Sequence, residues 1–446
     1  MSLFAVLVAV IATTSAQTRA ETGKSEFSKS TVTVGAIGTG YLRNWPGHQN
    51  SEMIYSVEPK ARGNWKFLDG VVDLTAYVYA QKVNTLTVEG SDFYLATNEL
   101  LLKHHQLTVG RVKTEWSVAD SVWKTGLWSP RFMWNQLHPQ ELGFTGVTYD
   151  YKQQVFELKL FGSYLSIPER GVPFVEQGGK LVSPSRDWLS PATQMIMMNQ
   201  SMNINYQIKY PPLNDLILFP NAAAKVRFGK ESGFWSSLGY TYKPLNQTDL
   251  SVEAEVSAKD LAVYTKLHPR RLFHHLATAE AGFESNSWNL WTSFTAEKVV
   301  NRPPPVGTWM VQPIASTVSG AWGTRVKSVT GFEANLSFLM TESEKLTPIA
   351  GAIPLDLPKR LTYTQAVNVG GRFDSRRNWS IGVNEVYDLK SNSGLTSVDG
   401  VLAFQSGLGL SAGADLVNAR SDSSSGGFLD TFAGNDRFWG KVSYAF

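Results

Sequence analysis

Apolar and polar residues alternate with a period of two over most of the chain. In one representative stretch the apolar positions are Phe332, Ala334, Leu336, Phe338 and Met340, and the polar positions between them are Glu333, Asn335 and Ser337. Comparable stretches begin near Val72, Phe156, Met202 and Leu250. Successive side chains of an extended strand point to opposite faces, so each stretch predicts a strand with one apolar and one polar face. A competing helical pattern is confined to the region 114–140.

The length of these strands and the spacing of the turns favour a membrane barrel over a soluble sheet. A tilted strand that crosses a membrane needs about 9–11 residues, and the predicted strands reach this length, whereas soluble strands usually have about five or six residues. Short polar turns at 230–233 and 374–377 alternate with long connections at 342–360 and 418–435. Short turns at one rim and long loops at the other are typical of transmembrane barrels. The sequence therefore predicts an all-β fold, a transmembrane antiparallel up-and-down β-barrel of about 18 strands (16–20) with long loops.

The N-terminus has the pattern of an export signal. An apolar run, Phe4–Ala12, is followed by small residues with two candidate cleavage sites, after Ala16 and after Ala20. The run is too short to cross a bilayer as a helix, and no Lys or Arg precedes it. We expect residues 1–20 to be a signal peptide and residues 21–446 to form a single outer-membrane barrel domain.

Composition and charge agree with a barrel and exclude other classes. Aromatic residues make up 12% of the chain although hydrophobic residues reach only 43%. A polar lumen combined with an apolar, aromatic-rimmed outside produces this balance. A net charge of +3 without runs of one sign gives no indication of nucleic-acid binding. The chain has no cysteine, which excludes disulfides, thiol catalysis and cysteine metal sites.

The C-terminal strand carries the most specific motif. Phe438, Val442, Tyr444 and Phe446 share one face of it, and the last residue is aromatic. This strand resembles the closing strand of bacterial outer-membrane β-barrel proteins (porin-like), whose terminal aromatic residue is part of the signal read by the barrel-assembly machinery. The resemblance implies an integral location in a bacterial outer membrane, contact with its lipids, and an assembly signal at Val442, Tyr444 and Phe446. The closing strand must pair with the first strand, predicted at Thr31–Leu42, because unpaired amides in lipid cost several kcal/mol each.

The segment Val109–Phe144 is the main candidate for a functional site. Its candidate constriction or ligand residues are Arg111, Lys113, Glu115, Trp116, Asp120, Trp123, Lys124, Trp128, Arg131 and Trp134. Connections of this length in compact domains are usually functional, and in several porin families an inward-folded loop narrows the channel. Sugars pack their C–H faces on indole rings while their hydroxyls bond to charged groups. An ordinary surface loop, or tryptophans at the membrane interface, would explain the same composition.

Other chemistry is weakly represented. A second long segment, Ser166–Gln200, could form another constriction, a plug or a docking surface, and its Met195–Met198 run reads as core or membrane-facing filler. The adjacent pairs His104-His105 and His274-His275 have rings on opposite faces of a strand and cannot chelate one ion. Local motifs for a catalytic nucleophile, a phosphate loop or a zinc site are absent from the sequence. We expect no cofactor, no metal and no enzymatic activity.

Two functions fit these patterns. The first is an outer-membrane porin or channel for polar solutes, with sugars or anions as the candidate substrates. The strand residues expected to line its lumen are Asn203, Asn205, Lys209, Glu253, Glu255, Glu333 and Asn335. The four basic residues of the candidate segment slightly outnumber its acidic ones, Glu115, Asp120 and Glu141, which predicts a weak preference for anions. The second function is a plugged structural barrel that anchors or scaffolds a larger assembly of envelope proteins.

Overall fold

The strands of the barrel are the dominant elements of the structure. The computed structural model describes residues 26–44, 49–80, 85–98, 101, 103–197, 199–230, 232–301, 310–311, 314–346, 353–354, 361–375, 378–419 and 427–446, so the expected signal peptide lies outside the described residues. The barrel strands are β1 (Glu26–Tyr41), β2 (Ser51–Trp65), β3 (Leu68–Tyr79), β4 (Leu86–Thr97), β5 (His105–Val112), β6 (Phe144–Lys152), β7 (Phe156–Leu165), β8 (Leu218–Gly229), β9 (Gly233–Pro244), β10 (Phe273–Glu284), β11 (Trp288–Val300), β12 (Thr317–Lys327), β13 (Phe332–Ser343), β14 (Gln365–Asp374), β15 (Trp379–Asp388), β16 (Ser393–Ala403), β17 (Leu408–Asn418) and β18 (Arg437–Ala445).

These strands form one closed 18-stranded antiparallel sheet. Each strand pairs with the next one along the chain. β18 pairs with β1 and closes the barrel, with Tyr444 opposite Val34 and Val442 opposite Ala36. The predicted up-and-down barrel, its strand number and the partner of the closing strand are therefore confirmed.

The two rims of the barrel differ in their connections. At one rim, which we call the short-turn rim, the connections are 66–67, 98–104, 153–155, 230–232, 285–287, 328–331, 375–378 and 404–407. The opposite, long-loop rim carries the extended connections, among them 113–143, 166–217, 245–272, 344–364 and 419–436. In membrane barrels the short turns face the periplasm and the long loops face outward, so this asymmetry orients the molecule.

The outward face of the barrel is apolar and the inward face is polar. Leu238 and Phe294 lie in the middle of β9 and β11, yet they are 63% and 54% exposed. The preceding residues on the same strands, Ser237 and Ser293, are buried inside the barrel. In a soluble protein the large apolar side chains would be buried and the serines exposed. Here the distribution is reversed, and lipid around the barrel explains this arrangement.

A second sheet lies outside the barrel, on the long-loop side. Its six strands are, in spatial order, Gln194–Met197, Gln200–Ile208, Ala262–Arg270, Asp249–Ser257, Met310–Val311 and Ile353–Pro354. It corrects two expectations from the sequence. The alternating stretches at 202–210 and 250–256 are not barrel strands, and the lumen is not lined by their polar residues Asn203, Asn205, Lys209, Glu253 and Glu255. Met195 is exposed on an edge strand of this sheet, so it is not a core residue. Alternation indicates only that a strand has one covered and one open face, which is true of any half-buried sheet.

The remaining elements are short. Two-stranded ribbons pair Arg131–Phe132 with Gln140–Glu141 and Val175–Gln177 with Lys180–Val182. The helices are α1 (Val118–Trp123), α2 (Asn214–Ile217) and α3 (Phe428–Thr431), and α1 lies where the sequence indicated helical periodicity. In the part of the chain that the structure describes, no helix is long and apolar enough to cross a membrane.

Candidate functional site

Residues 113–143, which connect β5 to β6, fold into the barrel, and we call them the lumen segment. Ser117 Oγ donates a hydrogen bond to the Glu280 carboxylate on β10 at 2.9 Å. The indole Nε1 of Trp128 donates to Thr278 Oγ1 on the same strand at 2.8 Å. β10 is separated from β6 by β7, β8 and β9 along the barrel wall, so the lumen segment crosses the interior to reach it.

Tryptophans attach the first part of the lumen segment to the wall. The rings of Trp116 and Trp128 stack nearly parallel, with centroids 5.7 Å apart, and both are buried. Phe144 and Phe161 pack against Trp116 at 5.5 Å and 6.4 Å. The stack fills the space between the segment and β7, and it leaves neither indole face open to a solute.

Trp123 fills another part of the interior. It is 4% exposed, at the end of α1, and belongs to a buried cluster with Trp235, Trp291 and Leu339. These partners lie on β9, β11 and β13. The cluster therefore closes this side of the lumen with packed side chains.

Asp120 holds the turn that follows α1. Its carboxylate accepts hydrogen bonds from the backbone N–H groups of Leu127, Trp128 and Ser129 at 3.1, 3.2 and 3.0 Å, and from the Thr125 hydroxyl. Asp120 is 5% exposed, so these bonds satisfy a carboxylate that would otherwise be buried without partners. The residue shapes the segment rather than facing the solvent.

The two arginines of the predicted site are buried anchors. Arg131 makes two bonds to the Glu169 carboxylate, 2.7 Å from Nε and 3.1 Å from Nη2, and so joins the lumen segment to the β7–β8 connection. Arg111 Nη1 lies 2.5 Å from Glu89 Oε1 and donates to the Gly90 carbonyl at 2.8 Å. Both guanidinium groups are almost fully buried, and their charges are neutralised by these carboxylates.

Three of the four remaining predicted residues face open space. Lys113, Lys124 and Trp134 line a cavity of about 730 Å³, which we call the lumen cavity, between the lumen segment and the wall formed by β1–β4 and β18. Further lining residues are Glu58, Lys60, Asp73, Asp92, Asn135, His138, Gln140, Glu141, Asp187, Arg437 and Lys441. Glu115 does not line this cavity; its backbone carbonyl accepts a bond from Lys225 Nζ at 3.2 Å, and burial raises the pKa of its carboxyl while Lys225 opposes the shift.

Charge is distributed unevenly over the lumen cavity. Lys113 Nζ and Lys124 Nζ lie 3.8 Å and 3.6 Å from the same oxygen of Glu141. Burial lowers the pKa of Lys124, and the Glu141 carboxylate opposes that shift. The lumen segment thus presents two ammonium groups for one carboxylate.

The opposite wall of the lumen cavity carries balanced pairs. Lys441 Nζ lies 2.8 Å from Glu58 Oε1, and Lys60 Nζ lies 3.2 Å from Asp73 Oδ2. The first pair joins β18 to β2 across β1, the second joins the neighbouring strands β2 and β3, and each pair cancels its own charge. The positive excess is therefore confined to the lumen segment, because six carboxylates and five basic side chains line the cavity as a whole.

A stacked pair of aromatic rings borders the lumen cavity. The ring of Trp134 stacks on Tyr77 of β3, with centroids 4.8 Å apart and planes inclined by 25°. Trp134 is half-buried, unlike the other tryptophans of the segment. The arrangement gives the cavity an aromatic wall beside its ammonium groups.

Sequence reasoning missed a buried network at the end of the lumen cavity. Arg437 on β18 contacts Asp415 at 2.8 Å, Asp187 at 3.2 Å and Asn135 at 2.6 Å. His138 Nε2 lies 2.7 Å from Asp415. The network ties the lumen segment and the β7–β8 connection to the closing strands. An arginine on the inward face of the closing strand was its only sequence signal, because its partners lie far away in the chain.

A second cavity, of about 870 Å³, opens toward the short-turn rim. Tyr94 and Thr114 line it, whereas Asp92 and Lys113, one or two residues away on the same backbone stretches, line the lumen cavity. The two cavities therefore approach each other where the lumen segment leaves β5.

Comparisons with known proteins concern the arrangement of strands. No family model matches the chain, and no curated protein matches it. Among solved structures it is similar to Salmonella typhi OmpF in complex with daunomycin, at 9% identity, with 94% of this chain and 97% of that chain covered and a TM-score of 0.42. It is also similar to Pseudomonas aeruginosa OccK11 (OpdR), at 10% identity, with coverage of 93% and 95% and a TM-score of 0.46. A third similar structure is Pseudomonas aeruginosa OccD3 (OpdP), at 8% identity, with coverage of 94% and 90% and a TM-score of 0.47.

Strand pairing and surface polarity decide the location of the protein. A closed barrel satisfies the strand amides internally, and the outward face is apolar between the rims. These are the properties of an integral protein of the bacterial outer membrane. Among the described residues, no group of three or more His, Cys, Asp or Glu side chains is arranged to hold a metal ion.

Proposed function

We propose that the protein is a channel that carries small polar solutes across the outer membrane, with the lumen segment forming its narrowest part. The observation that carries this proposal is the pair of cavities that approach each other beside Lys113 and Thr114. One cavity extends toward the long-loop rim and the other toward the short-turn rim. A solute that passes between them would cross the barrel alongside the lumen segment.

The lining of the lumen cavity favours sugars or anions as solutes. Arg111 and Arg131 are each bound to a buried carboxylate, so they do not contribute to the charge that a solute meets. Lys113 and Lys124 share Glu141 and leave one positive charge in excess on the segment. This excess is local to the segment and supports a weak preference for anions where a solute passes beside it. The exposed part of Trp134 offers a stacking surface for a sugar ring.

A plugged structural barrel is the second candidate function. The packing of Trp123 against Trp291 and Leu339 favours it, because this cluster fills one side of the lumen. In that case the lumen segment would serve as a plug, and the long-loop rim would contact other envelope proteins.

Single-channel recordings in a planar bilayer test the proposal. The purified protein should form channels, and the variant Thr39→Trp, which places a large ring in the lumen cavity, should lower their conductance. Removal of residues 115–140 should raise the conductance and reduce selectivity for anions or sugars. Met340→Trp, on the outward face of β13, is the matched control and should leave the conductance unchanged.

The recordings also separate the two candidates. If neither the intact protein nor the variant lacking 115–140 conducts, while both show the heat-dependent gel mobility of a folded barrel, the channel proposal is wrong. Co-purification of a stoichiometric envelope protein would then support the structural barrel.

A further inference from the structure

A polar cavity outside the barrel has no part in the proposed channel. It has a volume of about 310 Å³ and lies on the six-stranded sheet at the long-loop side. Its lining residues are Lys180, Thr193, Gln194, Asn203, Ile204, Asn205, Asp260, Ala262 and Tyr264. The sequence had singled out Asn203 and Asn205 as lumen residues, and the structure brings both to this cavity instead.

The register of two parallel strands brings the polar groups together. Asn203 lies opposite Ala262, and Asn205 lies opposite Tyr264, where strand Gln200–Ile208 pairs with strand Ala262–Arg270. Two side chains that are two residues apart on one strand share a face. The two amides therefore stand side by side next to the Tyr264 ring.

The side chains leave hydrogen-bonding groups free for a ligand. The Tyr264 hydroxyl donates to Asp260 Oδ2 at 3.2 Å, and this oxygen also accepts from Ser257 Oγ at 2.9 Å, so Asp260 Oδ1 remains as an acceptor. The Asn203 carbonyl accepts from Gln194 at 3.2 Å, which leaves the Asn203 NH₂ group as a donor. The Asn205 amide makes no hydrogen bond with another described residue.

We propose that this cavity binds a carbohydrate. Sugars need closely spaced donors and acceptors for their hydroxyls and an apolar ring for their C–H face. The two amides and Asp260 supply the donors and acceptors, and Tyr264, which is 41% exposed, supplies the ring. The lining carries one basic and one acidic side chain, Lys180 and Asp260, so a neutral sugar fits better than an ion. The volume lies at the lower end of small-molecule sites, which span about 300–1,000 Å³.

The position of the cavity indicates where the sugar comes from. Long loops of outer-membrane barrels face the cell exterior, so the cavity meets either a surface glycan or a free oligosaccharide. Neither source requires a solute to enter the lumen, so the inference stands apart from the channel proposal.

Saturation-transfer NMR on the full-length protein tests the inference. The protein is kept in an amine-oxide detergent, because glucoside and maltoside detergents carry sugars of their own. The probes are maltotriose and chitotriose, which represent free oligosaccharides, and the core oligosaccharide released from lipopolysaccharide, which represents a surface glycan. We expect at least one probe to bind, and the identity of that probe selects the source.

Variants assign the binding to the cavity. Asn205→Ala and Tyr264→Ala should each weaken binding of that probe about tenfold or more. Tyr210→Ala removes an exposed tyrosine outside the cavity and should change nothing. The heat-dependent gel shift confirms that each variant is folded.

Two results would overturn the inference. One is the failure of all three probes to bind at millimolar concentration. The other is binding that survives both Asn205→Ala and Tyr264→Ala but is lost in Trp134→Ala. The second result would place the sugar in the lumen cavity and would support the channel proposal instead.

Discussion

The lumen segment has two parts, 115–132 and 133–141, in which the same residue types have different environments. In the first part, tryptophans are buried and the arginine is bound to Glu169. In the second part, Trp134 and His138 border open space, and Glu141 faces two lysines. Apart from Lys124, which lines the lumen cavity, the first part fixes the segment to the wall. The second part forms the surface that a solute would meet.

The opposite wall determines which role a residue takes. Where β10 offers Thr278 and Glu280, the indole and backbone groups of the segment find partners and become buried. Where β1–β4 carry pairs that are already neutralised, such as Lys60 with Asp73, the ammonium groups of Lys113 and Lys124 pair with Glu141 of the segment instead, and the cavity remains. An identical side chain is therefore an anchor or a lining residue according to the strand that faces it.

The strongest test of this division is Arg131→Ala. The substitution leaves Glu169 buried without its partner, and loss of one member of a buried ion pair costs about 3–5 kcal/mol. We expect the free energy of unfolding, measured by urea titration of tryptophan fluorescence, to fall by about that amount. Fluctuations of the single-channel current should increase, because the segment loses its link to the β7–β8 connection.

Lys113→Ala is the matched control for Arg131→Ala. Its ammonium group is half-exposed and lies 3.8 Å from Glu141, and such pairs contribute about 0–1 kcal/mol. An equal loss of stability in both variants would contradict the division into anchors and lining residues.

Trp128→Phe should have a smaller effect on stability. Phenylalanine keeps most of the stack on Trp116 but removes the hydrogen bond from Nε1 to Thr278. Thr278 still bonds to Thr295, so the loss is confined to one hydrogen bond and part of a ring, about 1–2 kcal/mol. Urea titration measures it, and a Thr278→Val variant should show a similar loss that does not add to that of Trp128→Phe.

Much of the barrel can be predicted from the sequence, because a membrane requires each strand to alternate apolar residues that face lipid with polar residues that face the lumen. The final strand shows this clearly: Phe438, Val442 and Tyr444 are exposed outward while Arg437 is buried inward, as the alternation indicates. A role of Val442, Tyr444 and Phe446 in assembly stays a prediction. The paired histidines also follow the rule, with His274 buried against Glu297 and His275 exposed beside Tyr240.

The roles within the lumen segment could not be predicted from the sequence. Trp128 and Trp134 occur in similar local surroundings, and their different environments depend on Thr278 and Tyr77, which lie far away in the chain. The outer sheet escaped prediction for a related reason: strand Gln200–Ile208 pairs in parallel with strand Ala262–Arg270 across a long stretch of chain. Local patterns do not encode such long-range partners.

Trp134→Ala tests the lining role directly. The ring is half-buried and its stacking on Tyr77 contributes about 0.5–1.5 kcal/mol, so the loss of stability should be small. If the channel binds sugars, the blocking of its current by maltotriose should weaken markedly. Trp123→Phe, in the buried cluster, is the counterpart and should lower stability while leaving the sugar block intact.

The smallest effect is expected from the charges of the lumen cavity. Two unit charges about 4 Å apart interact by only about 1 kcal/mol in water, so one lysine changes the ratio of anion to cation permeability by about fivefold at most. Lys113→Gln and Lys124→Gln should each lower this ratio, and Glu141→Gln should raise it because it leaves both ammonium groups unopposed. Reversal potentials in a salt gradient measure the ratio, and low ionic strength enlarges the effect because salt screens exposed charges.

The pH dependence of the same ratio separates the two lysines. Burial lowers the pKa of Lys124, so its positive charge is lost at a lower pH than that of an exposed lysine. In the Lys113→Gln variant, where Lys124 alone carries the charge, the anion preference should therefore decline earlier as the pH is raised than it does in Lys124→Gln. The two variants differ by one neutralised lysine each, so any difference between their profiles comes from the surroundings of the remaining amine. Identical profiles would mean that a solute does not pass close to Lys124, and the narrowest point would then lie beside Lys113 alone.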